Sequence, residues 1–139
     1  MKKPTRPTWN IAPLFALILI LPLTCLSHTS YDENRMLAAI AIVENSPNTI
    51  GLRGERSIYQ ILPSTWREYS RIPIHEATAE QQHEVALAVL RGFHRRLERR
   101  GIVPDVYRLA LAWNGGPNAK RYKPSTLNYA LRVLNVYNQ

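Results

Sequence analysis

The sequence predicts an all-α (mainly α) domain, and three observations predict it. Apolar residues recur at i, i+3, i+4 and i+7 in successive segments, the spacing that places side chains on one face of a helix. No segment shows the period-two alternation of a half-buried strand. Ser30 with Glu33, and Thr78 with Gln81, have the spacing of capping boxes, and each pair precedes an apolar-periodic run.

Residues 1–27 read as a segment apart from that domain, which then covers 28–139. Lys2, Lys3 and Arg6 make a basic start, and residues 11–23 form an apolar run interrupted only by Pro13 and Pro22. The run is shorter than the ~18–20 apolar residues that span a bilayer, and its prolines weaken a helix. It suits the apolar core of a secretory signal peptide cleaved after Ser27, with an uncleaved N-terminal anchor as the alternative. Cys25, the single cysteine, lies in Leu23-Thr24-Cys25, which loosely resembles the end of a lipoprotein signal but has Pro22 where that signal has an aliphatic residue. Export to the periplasm or cell envelope is therefore expected. The mature domain would contain no disulfide and would be held by its core alone.

The formal net charge is +8, and the chain stays basic without Lys2, Lys3 and Arg6. A basic exported domain suits an anionic polymer such as cell wall or a membrane surface. Nucleic acid is the generic alternative for such a charge, and the signal-like start argues against it.

The first helix is expected to follow the Ser30–Glu33 box, with Met36, Leu37, Ile40, Ala41 and Val43 at helical spacing and Asn45-Ser46-Pro47-Asn48 as its stop. A loop with Gly51 and Gly54 leads to Tyr59-Gln60-Ile61, and Pro63-Ser64-Thr65 opens a short helix through about Tyr69. Pro73 marks a break. The Thr78–Gln81 box then opens a long helix ending near Gly101, with Val85, Ala86, Val89, Leu90, Phe93 and Leu97 on one stripe. Arg91, Arg95 and Arg99 fall four apart on another, read as a solvated face, with contact to anionic polymer or lipid as the alternative. Asp105 starts a helix through Leu109, Ala110 and Ala112, ended by Gly115-Gly116-Pro117, and a last helix covers about residues 125–137. His28, His75, His83 and His94 show no ligand spacing, so neither metal nor other cofactor is expected.

Leu37, Ile40, Ala41 and Glu44 share the apolar face of the first helix. Glu44 therefore points toward the core or a cleft in it, in the last turn, where the helix dipole disfavours negative charge. Both effects raise a carboxyl pKa, as a general acid working near neutral pH requires. The bland alternative is a surface Glu that ends a helix.

Four blocks carry a resemblance. Ala39-Ile40-Ala41-Ile42-Val43-Glu44-Asn45-Ser46 looks like the helix end of the transglycosylase SLT family, where an apolar run leads to the catalytic Glu and a nearby Ser. Gly54-Glu55-Arg56-Ser57-Ile58-Tyr59-Gln60-Ile61-Leu62-Pro63-Ser64-Thr65 resembles that family's G-x-x-G-L-M-Q-I-M-P-S-T. Leu109-Ala110-Leu111-Ala112-Trp113-Asn114-Gly115-Gly116-Pro117 resembles its A-L-A-A-Y-N-A-G-P. Pro124-Ser125-Thr126-Leu127-Asn128-Tyr129 with Arg132-Val133 is similar to its closing E-T-x-x-Y-V-x-x-V helix. The departures are Ser57 for the second Gly, Tyr59 for Met, Trp113 for Tyr and Ser125 for Glu. They fall around the sugar cleft.

The resemblance implies a lysozyme-like helical domain that cleaves peptidoglycan between N-acetylmuramic acid and N-acetylglucosamine, as a lytic transglycosylase leaving 1,6-anhydromuramoyl ends. It implies Glu44 as the catalytic acid and base. Gln60 and Asn114 would bind substrate through hydrogen bonds, Ser46 would bind substrate or the carboxyl, Tyr59, Trp113 and Tyr122 would stack on sugar faces, and Tyr129 would lie near the catalytic Glu; without the resemblance Gln60 and Asn114 read equally as loop-capping amides, Ser46 as a helix-end residue, and the aromatics and Tyr129 as core. Trp66 reads as core. Glu55 is the candidate second carboxylate that a hydrolytic lysozyme needs; its other reading is a solvated loop charge or a partner for Arg56. A non-catalytic wall-binding module is the alternative from a different class. Small members of the family often open the wall for a secretion or conjugation machine, so such a partner is an expectation from the resemblance.

Overall fold

The computed structural model describes residues 31–44, 50–51 and 54–139. Among them five helices form an all-α fold: α1 (Glu33–Glu44), α2 (Pro63–Tyr69), α3 (Ala79–Glu98), α4 (Val106–Gly115) and α5 (Pro124–Tyr137). The signal-like segment, Cys25 and Ser46 lie outside the described residues. No helix among the described residues is long and apolar enough to cross a membrane.

The helix starts follow from local chemistry. Thr78 caps α3 as expected: its hydroxyl accepts from Gln81 N–H at 3.2 Å, and Gln81 Oε1 accepts from Thr78 N–H at 2.9 Å. Asp105 caps α4, its Oδ1 accepting from Arg108 N–H at 2.7 Å. At the start of α1, Asp32 Oδ1 accepts from Arg35 N–H at 2.9 Å, directly before the first helical residue, while Ser30 lies outside the described residues. α2 and α5 each begin with a proline in the first turn, where its missing N–H is no loss. α4 stops where Gly116 takes φ 88°.

The stripes read from the sequence are the ones that pack. Met36, Leu37 and Ile40 of α1, Leu90 and Leu97 of α3, Leu109 of α4 and Val133 of α5 are essentially sealed from solvent. α5 lies against α4 and α1, while α3 lies against α4, α1 and α2. Truncating one of these large side chains to Ala would cost ~2–5 kcal/mol, the lost transfer energy plus a cavity. Trp66 belongs to the core, and its Nε1 donates to Ile72 carbonyl at 2.7 Å.

α1 is tied at both ends. At its start, Asp32 N–H donates to Tyr137 hydroxyl at 2.8 Å, Arg91 pairs with Glu33 at 2.6 Å, and Tyr31 hydroxyl meets His94 Nδ1 at 3.1 Å. At its end, Arg132 Nη2 donates to Val43 carbonyl at 3.1 Å. The last turn of α1, with Glu44, is thereby held against α5. The arginine stripe is only partly a free surface: Arg91 is paired, while Arg95 and Arg99 stay exposed without an ion pair among the described residues.

Candidate active site

Glu44 closes α1 directly after buried Val43, and its own side chain is half-buried. The packed face delivers it to the edge of the core, where α1 ends and a cleft begins.

A tight turn supplies the facing wall. Arg56 and Ile61 form an isolated antiparallel bridge, with N–H···O distances of 3.1 and 2.9 Å. Between them Ser57 (φ 70°) and Gln60 (φ 49°) both take the left-handed conformation that L-residues avoid. Ser57 stands at the second glycine of the motif it resembles, and the backbone there is of the kind glycine adopts freely. Local hydrogen bonds compensate: Ser57 Oγ accepts from Tyr59 N–H at 3.2 Å, and Gln60 Nε2 donates to Ser57 carbonyl at 3.0 Å. Gly51 N–H donates to Glu55 carbonyl at 2.9 Å, closing the loop over the turn. A Cβ at Gly51 would stand 2.5 Å from Glu55 Oε2 and 2.7 Å from Gln60 Oε1. Both side chains therefore converge over this glycine, and only a residue without a side chain leaves them room.

α4 supplies the third wall. Trp113 Nε1 donates to Tyr59 carbonyl at 3.2 Å, and its ring meets Phe93 edge-on at 6.0 Å. Asn114 follows on the next position, with its Oδ1 accepting from Thr126 hydroxyl at 2.8 Å. Glu44, Glu55, Gln60, Leu62, Trp113 and Asn114 together line a cleft of about 240 Å³. A second pocket of about 570 Å³ adjoins it through Asn114 and is walled by Arg121, Lys123, Thr126, Tyr129 and Arg132.

The electrostatics centre on Glu44. Burial raises its pKa, and the neighbouring charge of Glu55 raises it further. The hydroxyl of Tyr129 and the guanidinium of Arg132 pull it back down, without reversing the shift. Tyr129 is itself buried, and burial together with the Glu44 charge pushes its phenol far up, so it stays protonated. Its hydroxyl is close enough to influence the carboxyl, yet among the described residues it completes no hydrogen bond of good geometry. The pair thus holds a protonated phenol beside a carboxyl whose pKa burial raises above the usual glutamate value.

The structure brings together most of the residues singled out from the sequence. Glu44, Glu55, Gln60, Trp113 and Asn114 share the cleft. Tyr122 and Tyr129 wall the adjoining pocket, and Tyr122 hydroxyl donates to Gly116 carbonyl at 3.3 Å.

One reading changes. Tyr59 does not present its ring to the cleft: it is buried, with its hydroxyl 2.8 Å from His83 Nδ1, so it packs in the core and offers the site only its carbonyl to Trp113. Glu55, read as a solvated loop charge, a partner for Arg56 or a second carboxylate, is partly buried, and it lines the cleft with Glu44 and packs against Gly51. Sequence reasoning missed Arg132 and Thr126 as parts of the site. Each is three positions from Tyr129 on α5, the helical spacing that could have found both.

Among the described residues, no three His, Cys, Asp or Glu side chains gather as metal ligands. The cleft presents a carboxyl, two amides that donate and accept, and an indole ring. Comparison of the chain with protein-family models, with curated proteins and with solved structures finds no match.

Proposed function

We propose that the chain is a peptidoglycan lytic transglycosylase that cleaves the β-1,4 bond between N-acetylmuramic acid and N-acetylglucosamine, with Glu44 as general acid and then base. The observation that carries this reading is a half-buried carboxyl with a raised pKa at the head of a cleft lined by Gln60, Asn114 and Trp113. The four ordered sequence blocks supply the substrate class.

The chemistry follows from those groups. Protonated Glu44 gives its proton to the glycosidic oxygen as the bond to the muramic acid C1 breaks. The substrate's N-acetyl oxygen supports C1 from the opposite face, a substrate-assisted arrangement. Glu44, now a carboxylate, takes the proton of the muramic acid 6-hydroxyl while that oxygen bonds to C1. The product is a 1,6-anhydro ring, Glu44 regains its proton, and no water is consumed. One protein carboxylate suffices. Gln60 and Asn114 hydrogen-bond acetamido and hydroxyl groups, Trp113 and Tyr122 offer ring faces, and Tyr129 orients the Glu44 carboxyl. Export to the cell envelope, and service to a secretion or conjugation machine, belong to the same reading.

One observation favours a second reading. Glu55 lies in the same cleft and senses Glu44. Hydrolysis by a lysozyme mechanism would use it as the second carboxylate. The test is digestion of purified sacculi by Glu44→Gln and Glu55→Gln variants. The transglycosylase reading expects Glu44→Gln to lose ~10²–10⁴-fold in rate, with Glu55→Gln retaining most of the activity. Loss of activity in both, with reducing ends from the wild type, supports hydrolysis. Full function of Glu44→Gln would leave a wall-binding module.

A further inference from the structure

The larger pocket beside the cleft shares Asn114 with it and has Tyr122 and Tyr129 in its wall, but its charged side chains have no role in the chemistry above, and they have one sign. Arg121, Lys123 and Arg132 stand around about 570 Å³, with no Asp or Glu in its walls among the described residues. Arg132 commits Nη2 to Val43 carbonyl. Arg121 and Lys123 are exposed, and among the described residues neither forms an ion pair. Lys123 is also the residue before the first turn of α5, where no side chain caps the helix. The positive end of the α5 dipole adds to the same potential. Arg132 already interacts with the Glu44 carboxyl, so Arg121 and Lys123 are the cations left to meet an anionic group entering the pocket.

Asn114 tells which ligand the anion belongs to. Its side chain walls both pockets. A sugar ring held by Asn114 in the cleft therefore projects a substituent toward the cations. In a peptidoglycan strand every second ring carries a lactyl ether, which ends in a carboxylate or continues into a peptide stem with carboxylates of its own.

Resting on the glycan reading of the cleft, we infer that this pocket is an anion subsite that takes the carboxylate carried on the lactyl side arm of a bound strand. The subsite discriminates strands by charge at a position away from the bond that breaks. Its cost when empty is small because Arg121 and Lys123 reach solvent, and its gain is binding rather than rate.

The experiment measures binding of fluorescently labelled strands to the full chain carrying Glu44→Gln, so that affinity is read without cleavage. Three strands are compared: with peptide stems, with stems removed to leave the lactyl carboxylate, and with all carboxylates converted to amides. The carboxylate-bearing strands are expected to bind roughly tenfold more tightly than the amidated ones. Adding Arg121→Ala and Lys123→Ala is expected to abolish that difference while leaving the amidated strands unchanged. Adding Arg95→Ala and Arg99→Ala instead, which removes as much charge outside the pocket, is expected to keep it. Whichever of the two carboxylate-bearing strands shows the preference identifies the source of the anion. Equal binding of amidated and carboxylate-bearing strands overturns the inference alone. Equal loss with either pair of substitutions also overturns it, because net charge would then explain the effect. Absence of binding by every strand removes the glycan reading and the inference with it.

Discussion

Replacing Tyr129 by Phe should separate stability from activity. A buried tyrosine hydroxyl usually makes a hydrogen bond worth ~1 kcal/mol, and Tyr→Phe then destabilises by about that amount. Tyr129 differs: the residue is only 8% exposed and its hydroxyl completes no bond among the described residues. A buried polar group left unpaired costs ~1–3 kcal/mol, so removing one oxygen without opening a methyl-sized cavity should leave stability unchanged or raise it by up to ~1 kcal/mol. For a domain of this size that is a melting temperature equal to wild type or higher by roughly 4–8 °C. Activity should move the other way. On the reading proposed above, in which Tyr129 orients Glu44, its loss should lower kcat by about 10–100-fold. The pH profile supplies a third readout. Tyr129 lowers the Glu44 pKa, so its removal raises that pKa. A general acid works when protonated, and its rate falls as pH climbs through its pKa, so the alkaline limb should shift upward. The assays are thermal unfolding by circular dichroism and turnover of sacculi across pH. A destabilisation above ~1 kcal/mol would mean that the phenol is satisfied after all. Unchanged kcat and pH profile would mean that it does not orient Glu44.

Two further outcomes follow from the same geometry. Burial raises the folded-state pKa of Glu44 above the 4.5 usual for a glutamate, so the folded chain holds that proton more tightly than the unfolded chain. Stability from this group is then present at low pH and falls as pH rises through the interval above 4.5. Glu44→Gln removes the fall, so urea midpoints should favour the variant more at pH 7 than at pH 4, and an equal difference at both would count against a raised pKa. Ser57 at φ 70° carries backbone strain that glycine does not, while its Oγ serves Tyr59 N–H. Ser57→Ala loses the bond and keeps the strain, whereas Ser57→Gly loses both, so the Gly variant should be more stable than the Ala variant by ~1–2 kcal/mol; equal stability would remove the strain argument.

The helices were legible because their signals are local. The Val85-to-Leu97 stripe and the Thr78–Gln81 box need only a few neighbouring residues to be read, and both stand in the structure as the sequence implies. The helical position of Glu44 was legible for the same reason, since Ile40 and Val43 fix which face is buried. What escaped depends on distant parts of the chain. Tyr59 and Gln60 are adjacent in a loop, and nothing local says which faces the core; His83, on α3, settles it by meeting the Tyr59 hydroxyl. Glu55 reads as a loop charge, a partner for Arg56 or a second carboxylate, and its place in the cleft depends on packing against Gly51. Arg132 sits 89 positions from the Val43 carbonyl it binds, a pairing that only the packing of α5 on α1 creates. The substrate class comes from ordered sequence blocks, and the shape of the cleft supports a general acid without naming the sugar.

On the reading proposed above, Glu44 alone drives bond cleavage with ring closure. The most direct test of that reading is mass spectrometry of the fragments released from purified sacculi by the wild type and by Glu44→Gln. Expected are 1,6-anhydromuramoyl ends from the wild type, lighter by one water than the hydrolytic product, and almost no release by the variant. Fragments carrying only reducing ends, or equal release by Glu44→Gln, would contradict it.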